Sequence, residues 1–564
     1  MIAMLVGFQN CSGEFSTLAS PPSADAHSGK SSGSQMFTMA GSANVCSPST
    51  LKLCQSGNGT GSQGCNSAGS AWGICQNLLR CNTGYTLANG TCSPIRSGAP
   101  MNRIGTKVIN AQGAFFETAT GSLFIPRGQN YIRLAASGHA VFEPGLYSPQ
   151  NVESALEYMR GSGYNYVRVF LADSNSINSG FGLSSPGISD AYLNNVADFI
   201  FRAANNGIRI MLTGGAVPSN YISIVSSYPS QTSFQFQDGE PVSNAFLMHP
   251  GWAHAHAQFL SDLLNGLKAR NPVLLSAIFS IDIENEATFN TTTLPLSLHS
   301  GSVTINGVSY DMSNMTDRQQ MMNASAVQWF LTVRNAIKAV DPQILVSASV
   351  FPPYPIGRVG FDGADWHDTA FPYPWSDKTR MPVDPMPLLV FGQADYLDIH
   401  NYWDLDADLS SVGLSKQTIL SKPIIIGEYG ALRSSYSTAS SAGTAMNSYM
   451  QSSCSYGFTG WGYWTWDTDE QVDSSGLTQF WNTVDSGGAV NGAIAPLAWP
   501  TVCSPIPAGD FIVGQTIFHS NGVHFCGFDS WAHFIAIEGS VNISAFPTYS
   551  RIPITMIDDG ICQP

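Results

Sequence analysis

One pattern dominates the middle of the chain. Between residues 110 and 480, eight short apolar stretches alternate with longer stretches whose apolar residues recur at helical spacing. Continuous apolar runs between amphipathic helices are typical of parallel strands that are buried on both faces. Eight such units favour a closed barrel over an open sheet. No Gly-rich phosphate-binding loop follows the first strand in the sequence, which disfavours a nucleotide-binding fold.

The pattern assigns each element to a stretch of sequence. The predicted strands are 128–134, 164–171, 208–215, 274–286, 344–351, 394–403, 422–430 and 460–467. The predicted helices are 148–163, 188–207, 254–271, 318–341 and 441–457. A predicted hairpin at 111–128 precedes the first strand, and we expect it to close the barrel floor. The expected fold class is therefore α/β, a (β/α)8 TIM barrel.

Cysteines mark the two ends of the chain. Of eleven cysteines, seven precede residue 93, four follow residue 450, and none lies between. This distribution predicts small disulfide-stapled modules around a domain with its own core, in an oxidising compartment. A metal site among the first cysteines is the weaker alternative, because they form no CxxC pair and have no nearby histidine. The predicted regions are a signal remnant with a Ser/Gly-rich tether at 1–45, a Cys-rich module at 46–95, the barrel domain at 100–497 and a β-rich disulfide module at 500–564. The short β-type stretches of the last module include FIVGQTIF and WAHFIAIEG.

The first ten residues are apolar and end just before Cys11. This stretch is too short to span a bilayer. It resembles the end of a bacterial lipoprotein signal, in which Cys11 would carry the lipid and attach the protein to a membrane. A plain signal remnant is the alternative, since a basic segment is missing and Gln9-Asn10 replace the usual small residues. Either way, we expect a monomer that is secreted or held on the outer cell surface.

Composition excludes one class of partner. The formal net charge is −15, only 11% of the residues are charged, and no long run of lysine and arginine occurs. Nucleic acid binding needs clustered positive charge, so nucleic acid is not an expected partner.

Carboxylates end two of the predicted strands. The stretch FSIDIENE ends in Glu284-Asn285-Glu286, and IIIGEYG runs directly into Glu428. A carboxylate at the mouth of a buried strand is costly unless it is paired or used. Barrel active sites form at the carboxyl ends of the strands, and strands four and seven face each other there. A retaining glycosidase needs two carboxylates about 5–5.5 Å apart, so Glu286 and Glu428 are the predicted catalytic pair.

The ordered motifs resemble those of clan A (β/α)8 glycoside hydrolases, most of all glycoside hydrolase family 5, over roughly residues 110–480. That family has an Asn-Glu pair after strand four, a His-x-Tyr motif after strand six and a glutamate nucleophile at the end of strand seven. The matching residues here are Asn285-Glu286, His400-Asn401-Tyr402 and Glu428. Arg168 matches the arginine that the family has on strand two, and Trp464 matches its tryptophan on strand eight. Gly128–Tyr131 matches the GxNY element of strand one.

The resemblance implies an O-glycosyl hydrolase that works by double displacement, without a metal or other cofactor. Glu286 would protonate the leaving oxygen and later deprotonate water, while Glu428 would attack the anomeric carbon. Asn285 would bind the sugar 2-hydroxyl. The implied substrate is a β-linked polysaccharide or oligosaccharide, such as a β-glucan or a β-mannan.

The resemblance also gives roles to the neighbours of the pair. Arg168 and Tyr402 would keep Glu428 ionised through charge-assisted hydrogen bonds. His400 would bind a sugar hydroxyl or tune the acid, and Trp464 would stack on the sugar ring. For Arg168 and His400, a structural salt bridge and a satisfied buried histidine are the alternatives.

The chain departs from the family pattern at strand three. That strand often ends in a polar pair in the family, whereas here it ends in Thr213-Gly214-Gly215. His139 in the first loop and Asp467 after strand eight are candidates to supply the missing sugar contact.

Several chemically suggestive residues also have structural interpretations. For Glu284, an ion pair deeper in the barrel is expected rather than catalysis. The two-residue spacing of His254 and His256 on a helix puts them on different faces, so surface positions are expected rather than a metal site. Trp461 and Trp466 alternate with Trp464, and some of the three must face the helices.

Two other functions remain open from the sequence. A surface glycan-binding or adhesion lipoprotein could use the barrel as a scaffold only, although both predicted catalytic glutamates are present. A transglycosidase would use the same residues as a hydrolase.

Overall fold

The computed structural model divides the chain into two compact units, residues 13–98 and a larger unit that includes residues 99–564. In the first unit the structure describes only strands, which are 51–56, 59–64, 76–81, 85–88 and 91–94. In the second it describes residues 100–132, 141–171, 185–215, 217–228, 232, 244–358, 379–402, 404–466, 479–503, 505–538 and 543–563. The predicted tether and Cys11 lie outside these residues.

The first unit contains two small antiparallel sheets. One has three strands, Leu51–Ser56, Gly59–Gly64 and Gln76–Cys81. The other is a hairpin of Tyr85–Ala88 and Thr91–Pro94. The disulfides predicted for this module involve side chains outside the description.

Parallel strands in the second unit close into a barrel. In chain order the strands are Arg127–Asn130, Tyr166–Phe170, Arg209–Thr213, Ile278–Asp282, the two-part fifth strand Leu345–Ser347 and Ser349–Val350, Leu397–His400, Ile424–Tyr429 and Phe458–Tyr463. Strand one pairs with strand two on one side and strand eight on the other. The first part of strand five pairs with strand four, and the second part pairs with strand six. The predicted (β/α)8 barrel is confirmed.

Observed strands are shorter than the predicted ones. Strand four was expected over 274–286, but Pro272–Ala277 is a 3-10 helix and the strand proper is Ile278–Asp282. Pro272 follows Asn271, whose side chain accepts the Val273 N–H, so the apolar residues after it begin in a helical turn. At the other end the chain turns at Glu286, which has a φ of 51°.

Helices surround the barrel. The longer ones are Pro149–Gly161, Asp190–Asn205, Pro250–Arg270, Met315–Val340, Ala439–Ser453 and Asp485–Ile494, and the shorter ones are Ile222–Val225, Ala245–Met248, Pro385–Val390 and Leu405–Ser411. Several begin at a Ser, Thr or Asn whose side chain accepts a backbone N–H of the first turn, as at Ser148, Asn314 and Thr438. Within the described residues, no helix is long and apolar enough to cross a membrane.

A three-stranded antiparallel sheet precedes strand one. Its strands are Ile104–Ile109, Gln112–Glu117 and Leu123–Phe124. Phe115 is fully buried, and its ring centroid lies 5.7 Å from that of Phe279 in strand four and 5.4 Å from that of Tyr396 just before strand six. The predicted hairpin therefore closes the floor of the barrel with aromatic side chains.

The C-terminal part is β-rich, as expected. Its sheet has five strands, Thr548–Tyr549, Gly509–Val513, Thr516–Ser520, His524–Gly527 and Ile557–Ile561. A disulfide joins Cys526 to Cys562 inside this sheet, and another joins Cys454 to Cys503. The latter links the end of a barrel helix to the start of the module.

One prediction for this module is wrong. The stretch WAHFIAIEG was expected to be a strand, but Trp531–Glu538 forms a helix. The Ser530 hydroxyl accepts the His533 N–H, and Asp529 pairs with His533 one turn later. These capping contacts favour a helix despite the β-branched residues.

Arg551 joins the C-terminal module to the N-terminal end of the barrel. Its guanidinium donates to the backbone carbonyls of Ser455, Lys416 and Thr418, in segments that precede strands seven and eight, and to the Gln112 side chain. Burial lowers the pKa of Arg551 to about 10. The module therefore lies at the floor of the barrel, opposite the carboxyl ends of the strands.

We expect Arg551→Met to reduce the free energy of unfolding by about 2–4 kcal/mol, because four acceptors, one buried and three partly buried, would lose their donor at once. Urea unfolding followed by circular dichroism measures this change. Arg160→Met, at an exposed position near the end of the helix Pro149–Gly161, is the control. Equal effects of the two substitutions would show that Arg551 does not hold the module in place.

Candidate active site

The two predicted catalytic glutamates meet at the mouth of the barrel. Glu428 lies near the end of strand seven, and Glu286 lies four residues after strand four. Their side chains are buried, with 3% and 8% of the residue surface exposed. One carboxylate oxygen of each and a ring nitrogen of His400 all lie within 4.8 Å of one another.

Glu428 is held by a cation and a phenol. The Arg168 Nη1 lies 2.5 Å from its Oε1, and the Tyr402 hydroxyl donates to its Oε2 over 2.7 Å. The His400 Nδ1 lies 3.4 Å from the same Oε2. Strands six and seven create this arrangement, because His400 and Glu428 are direct neighbours in their register.

Arg168 links most of the strands around the site. Besides Glu428, its guanidinium donates to Asp282 over 2.7 Å, to Asn285 over 2.8 Å and to Asn130 over 3.0 Å. The side chain is fully buried, yet the two carboxylates outweigh the desolvation and raise the pKa of Arg168. Arg168 thus makes the expected contact with Glu428, and it also forms a structural salt bridge with Asp282, which was the alternative.

Asn285 keeps a donor for a ligand. Because arginine can only donate, the contact with Arg168 fixes the Asn285 Oδ1 on the Arg168 side. Its amide nitrogen makes no hydrogen bond to any described residue. The group expected to bind a sugar hydroxyl is therefore oriented, and none of the described residues uses its donor.

Glu286 has a different set of partners. The His400 Nδ1 lies 3.2 Å from its Oε1, and the Arg380 Nη2 lies 3.1 Å from its Oε2. The Glu286 backbone N–H donates to the Ser349 hydroxyl over 3.1 Å. Its positive φ is uncommon for a side-chain-bearing residue, and such conformations cluster at functional sites.

The local charges set the protonation of this group of residues. Burial raises the pKa of Glu286, but the His400 hydrogen bond and the Arg380 charge outweigh it and lower the pKa to about 2. Burial raises the pKa of Glu428 despite His400 and Arg168. Burial lowers the pKa of His400, yet the effects of Glu428 and Glu286 outweigh burial, so the pKa is raised overall. His400 thus lies beside two carboxylates that favour its protonated form.

Glu286, His400 and Glu428 have donor atoms spaced closely enough for a metal ion. However, the guanidiniums of Arg168 and Arg380 already pair with the two carboxylates. Two fixed positive charges at this distance oppose a cation, so the donor set fits proton chemistry better than metal binding.

Trp464 belongs to an aromatic group at the mouth. It clusters with Phe170, Phe480 and Tyr402, the last of which contacts Glu428. Trp461 donates its indole N–H to Ser453 of a barrel helix, and Trp466 packs on Tyr158 of another. Among the three tryptophans, Trp464 is therefore the one that lies in the aromatic group beside Glu428.

Strand three contributes little polarity to the site. Thr213 is fully buried, and its hydroxyl has no partner among the described residues. A Cβ on Gly214 would lie 2.3 Å from the carbonyl oxygen of Ile283, so the close approach of strands three and four requires glycine here. His139 and Asp467, the candidates for replacing the missing contact, lie outside the described residues.

Two structural predictions need correction. The ion pair expected for Glu284 is absent among the described residues; its Oε2 is buried without a partner, and burial with Asp282 repulsion raises its pKa well above the usual range. His256 was expected at the surface but is fully buried, and burial lowers its pKa to about 3. His256 sits beside Phe246 and Trp329 because its helix is covered on two sides. His254 stacks on Tyr228.

Sequence reasoning missed Arg380, Asp282 and Asp398. Asp282 is the last residue of strand four, and its position two residues before Glu284 in the apolar stretch FSIDIENE was the available clue. Asp398 lies two residues before His400, accepts the Gly427 N–H over 2.9 Å, and has a pKa that burial raises to about 7. Arg380 reaches the site from a connecting segment 94 residues beyond Glu286, and no motif marks it.

No protein-family model matches the chain, and no curated protein sequence matches it. Solved structures with a similar barrel include an exo-beta-1,4-mannosidase from Opitutaceae bacterium strain TAV5, at 17% identity and a TM-score of 0.42, with 71% of this chain and 64% of that chain covered. The match thus spans less than two thirds of that enzyme. A beta-mannanase from Mytilus edulis has 15% identity and a TM-score of 0.40, with 71% and 98% covered. An endo-beta-1,4-mannanase from Thermotoga petrophila has 16% identity and a TM-score of 0.42, with 72% and 84% covered.

We expect Tyr402→Phe to raise the pKa of Glu428 by about one unit, because the lost hydroxyl donates to the charged carboxylate and lowers this pKa. A ¹³C NMR titration of the labelled glutamate carboxyls, assigned with Glu428→Gln, measures the change. Tyr449→Phe is the matched control, since that buried hydroxyl contacts the Asn401 carbonyl instead. An unchanged or lower pKa in Tyr402→Phe would contradict the described contact.

Proposed function

We propose that the protein is a retaining glycoside hydrolase that cleaves a β-linked polysaccharide or oligosaccharide. The observation that carries this proposal is the spacing of the two carboxylates, whose nearest described oxygens lie within 4.8 Å. Inverting enzymes need about 6.5–9.5 Å between the carboxyl groups to hold a water molecule, whereas retaining enzymes need about 5–5.5 Å. The spacing therefore supports direct attack by one carboxylate.

Glu428 is the proposed nucleophile. Arg168 and Tyr402 each donate to one of its oxygens, which stabilises the carboxylate and orients it. Attack on the anomeric carbon forms a glycosyl–enzyme bond and breaks the glycosidic bond. Water then releases the sugar with a second inversion, so the product keeps the β configuration.

Glu286 is the proposed acid and base. It must be protonated when the glycosidic oxygen leaves, although Arg380 and His400 favour its ionised form in the empty site. His400 contacts both glutamates and has a raised pKa, so it is the proposed source of that proton. After the first step, Glu286 takes a proton from the attacking water.

The proposed substrates are β-glucans and β-mannans. A neutral sugar polymer suits a mouth that offers an amide donor at Asn285 and an aromatic group around Trp464. We further propose that the protein acts outside the cell, which the disulfides Cys454–Cys503 and Cys526–Cys562 support. Attachment through a lipid on Cys11 belongs to the same proposal, and the mass of the mature N-terminal peptide tests it.

Azide rescue separates the two glutamate roles. We expect Glu428→Gly to abolish release of sugar from a β-glucan or β-mannan, and azide to give an α-glycosyl azide from an activated β-glycoside. We expect Glu286→Ala to slow polysaccharide cleavage by about 10²–10⁴-fold, and azide to give a β-glycosyl azide instead. Product NMR identifies the anomers.

Glu284→Gln is the matched control, because this nearby carboxyl has neither His400 nor an arginine as a partner among the described residues. It should give no azide product and keep wild-type cleavage within a few fold. An α-anomeric first product from the wild type would exclude retention. Failure of the wild type to release sugar from a panel of glucans and mannans would favour a glycan-binding protein on a barrel scaffold.

A further inference from the structure

Arg380 contacts Glu286 from outside the barrel sheet. It lies in the short strand Arg380–Pro382, which pairs antiparallel with Thr288–Asn290, the strand directly after Glu286. The Val383 N–H donates to the Ala287 carbonyl over 2.9 Å, so the two segments are joined immediately beside Glu286. This two-stranded element, Thr288–Asn290 with Arg380–Pro382, is called the strap below.

The Arg380 guanidinium is fixed on two sides. Its central carbon lies 4.1 Å from the ring centroid of Phe351, which follows strand five. Its Nη2 lies 3.1 Å from the Glu286 Oε2, and 12% of the side chain is exposed. Arg358 also donates to the Arg380 carbonyl over 2.9 Å, which holds the backbone of the strap.

Each oxygen of Glu286 therefore has a partner. His400 contacts Oε1, and Arg380 contacts Oε2. A carboxyl group that protonates a leaving oxygen must present one of its own oxygens to that oxygen. Although a carboxylate oxygen can accept more than one hydrogen bond, a leaving oxygen that approaches Glu286 competes with one of these two contacts.

The Arg380 contact is the one that can open. His400 lies in a barrel strand, has no exposed side-chain surface and also contacts Glu428. Arg380 lies on the strap outside the barrel sheet, and its side chain is partly exposed. Moving His400 would disturb both carboxylates, whereas moving Arg380 would leave the contacts of Glu428 in place.

We propose that Arg380 is a positioning residue that holds Glu286 in the empty site and transfers its hydrogen bonds to the leaving-group sugar when substrate binds. Loss of the guanidinium from Glu286 removes a positive charge that favours the carboxylate, so Glu286 can accept the proton from His400. The freed guanidinium faces the oxygen that leaves, and its several N–H groups suit the hydroxyls of the departing sugar. This inference rests on the proposed function, because it assigns Glu286 as the acid.

The test uses Arg380→Gln, which removes the charge, and Arg380→Lys, which keeps it. In Arg380→Gln we expect the pKa of Glu286 to rise by about 1–3 units, and in Arg380→Lys to rise by less. The titration is read by ¹³C NMR of labelled glutamate carboxyls, with Glu286→Gln for assignment. This arm needs no catalysis, so it remains informative if the enzyme proposal fails.

Kinetics supply the second readout. A dinitrophenyl β-glycoside needs little help from an acid and has no leaving-group sugar. We therefore expect Arg380→Gln to lower kcat/KM on the polysaccharide by about tenfold or more, the loss of one charge-assisted hydrogen bond, and to leave the dinitrophenyl substrate within about threefold. The alkaline limb of the pH profile should move to higher pH, because Glu286 keeps its proton longer.

Arg209→Gln is the matched control, since Arg209 also stacks on a phenylalanine and pairs with a glutamate but lies at the start of strand three, on the floor side. It should change neither the Glu286 titration nor the ratio of the two substrates. The inference would be overturned if Arg380→Gln and Arg380→Lys lowered kcat/KM equally on both substrates and left the pKa of Glu286 unchanged. The wild type could also be inactive on every polysaccharide while Arg380→Gln still raises the pKa of Glu286. This outcome would overturn the proposed function and the leaving-group role of Arg380, and would support only the contact between Arg380 and Glu286.

Discussion

The interaction on which the site depends is the buried pairing of Arg168 with Asp282 and Glu428. A fully buried guanidinium costs several kcal/mol in desolvation unless anions and acceptors surround it. Here it connects side chains from strands one, two, four and seven, so it fixes the barrel mouth and Glu428, the proposed nucleophile, together. Arg168 opposes the rise that burial causes in the pKa of Glu428, and the two carboxylates in turn offset the desolvation of the buried cation.

Ser349 extends this network to the acid. Strand five is interrupted at Ala348, and the next residue, Ser349, accepts the Glu286 N–H through its hydroxyl and donates its own N–H to Asp282 over 2.7 Å. Because Asp282 also binds Arg168, the backbone of Glu286 is linked to the group that holds Glu428. The two proposed catalytic carboxylates are therefore positioned by one connected set of buried hydrogen bonds.

Most of the barrel could be predicted because the apolar pattern of its strands and helices is periodic and can be identified within short stretches of sequence. Runs such as IIIGEYG are buried on both faces, so their composition alone identifies a parallel strand, and the carboxylate at their end stands out. Glu286 and Glu428 were found in this way. Arg380 was not, because its importance arises from a tertiary contact across 94 residues and its surroundings carry no periodic pattern. Two other predictions failed because tertiary neighbours or a cap outweighed the local pattern. His256 is buried by aromatic neighbours of its helix, and Trp531–Glu538 is a helix that Ser530 caps.

The closed floor has a consequence for the polymer. Phe115, Phe279 and Tyr396 fill the barrel below the carboxylates, and the C-terminal module lies against the segments beneath them. Among the described residues, the barrel is therefore open only at the carboxyl ends of its strands, and the proposed sugar substrate must enter and leave at that end. A long polysaccharide, if it is the substrate, has to lie across this opening, because the described floor offers no exit on the opposite side.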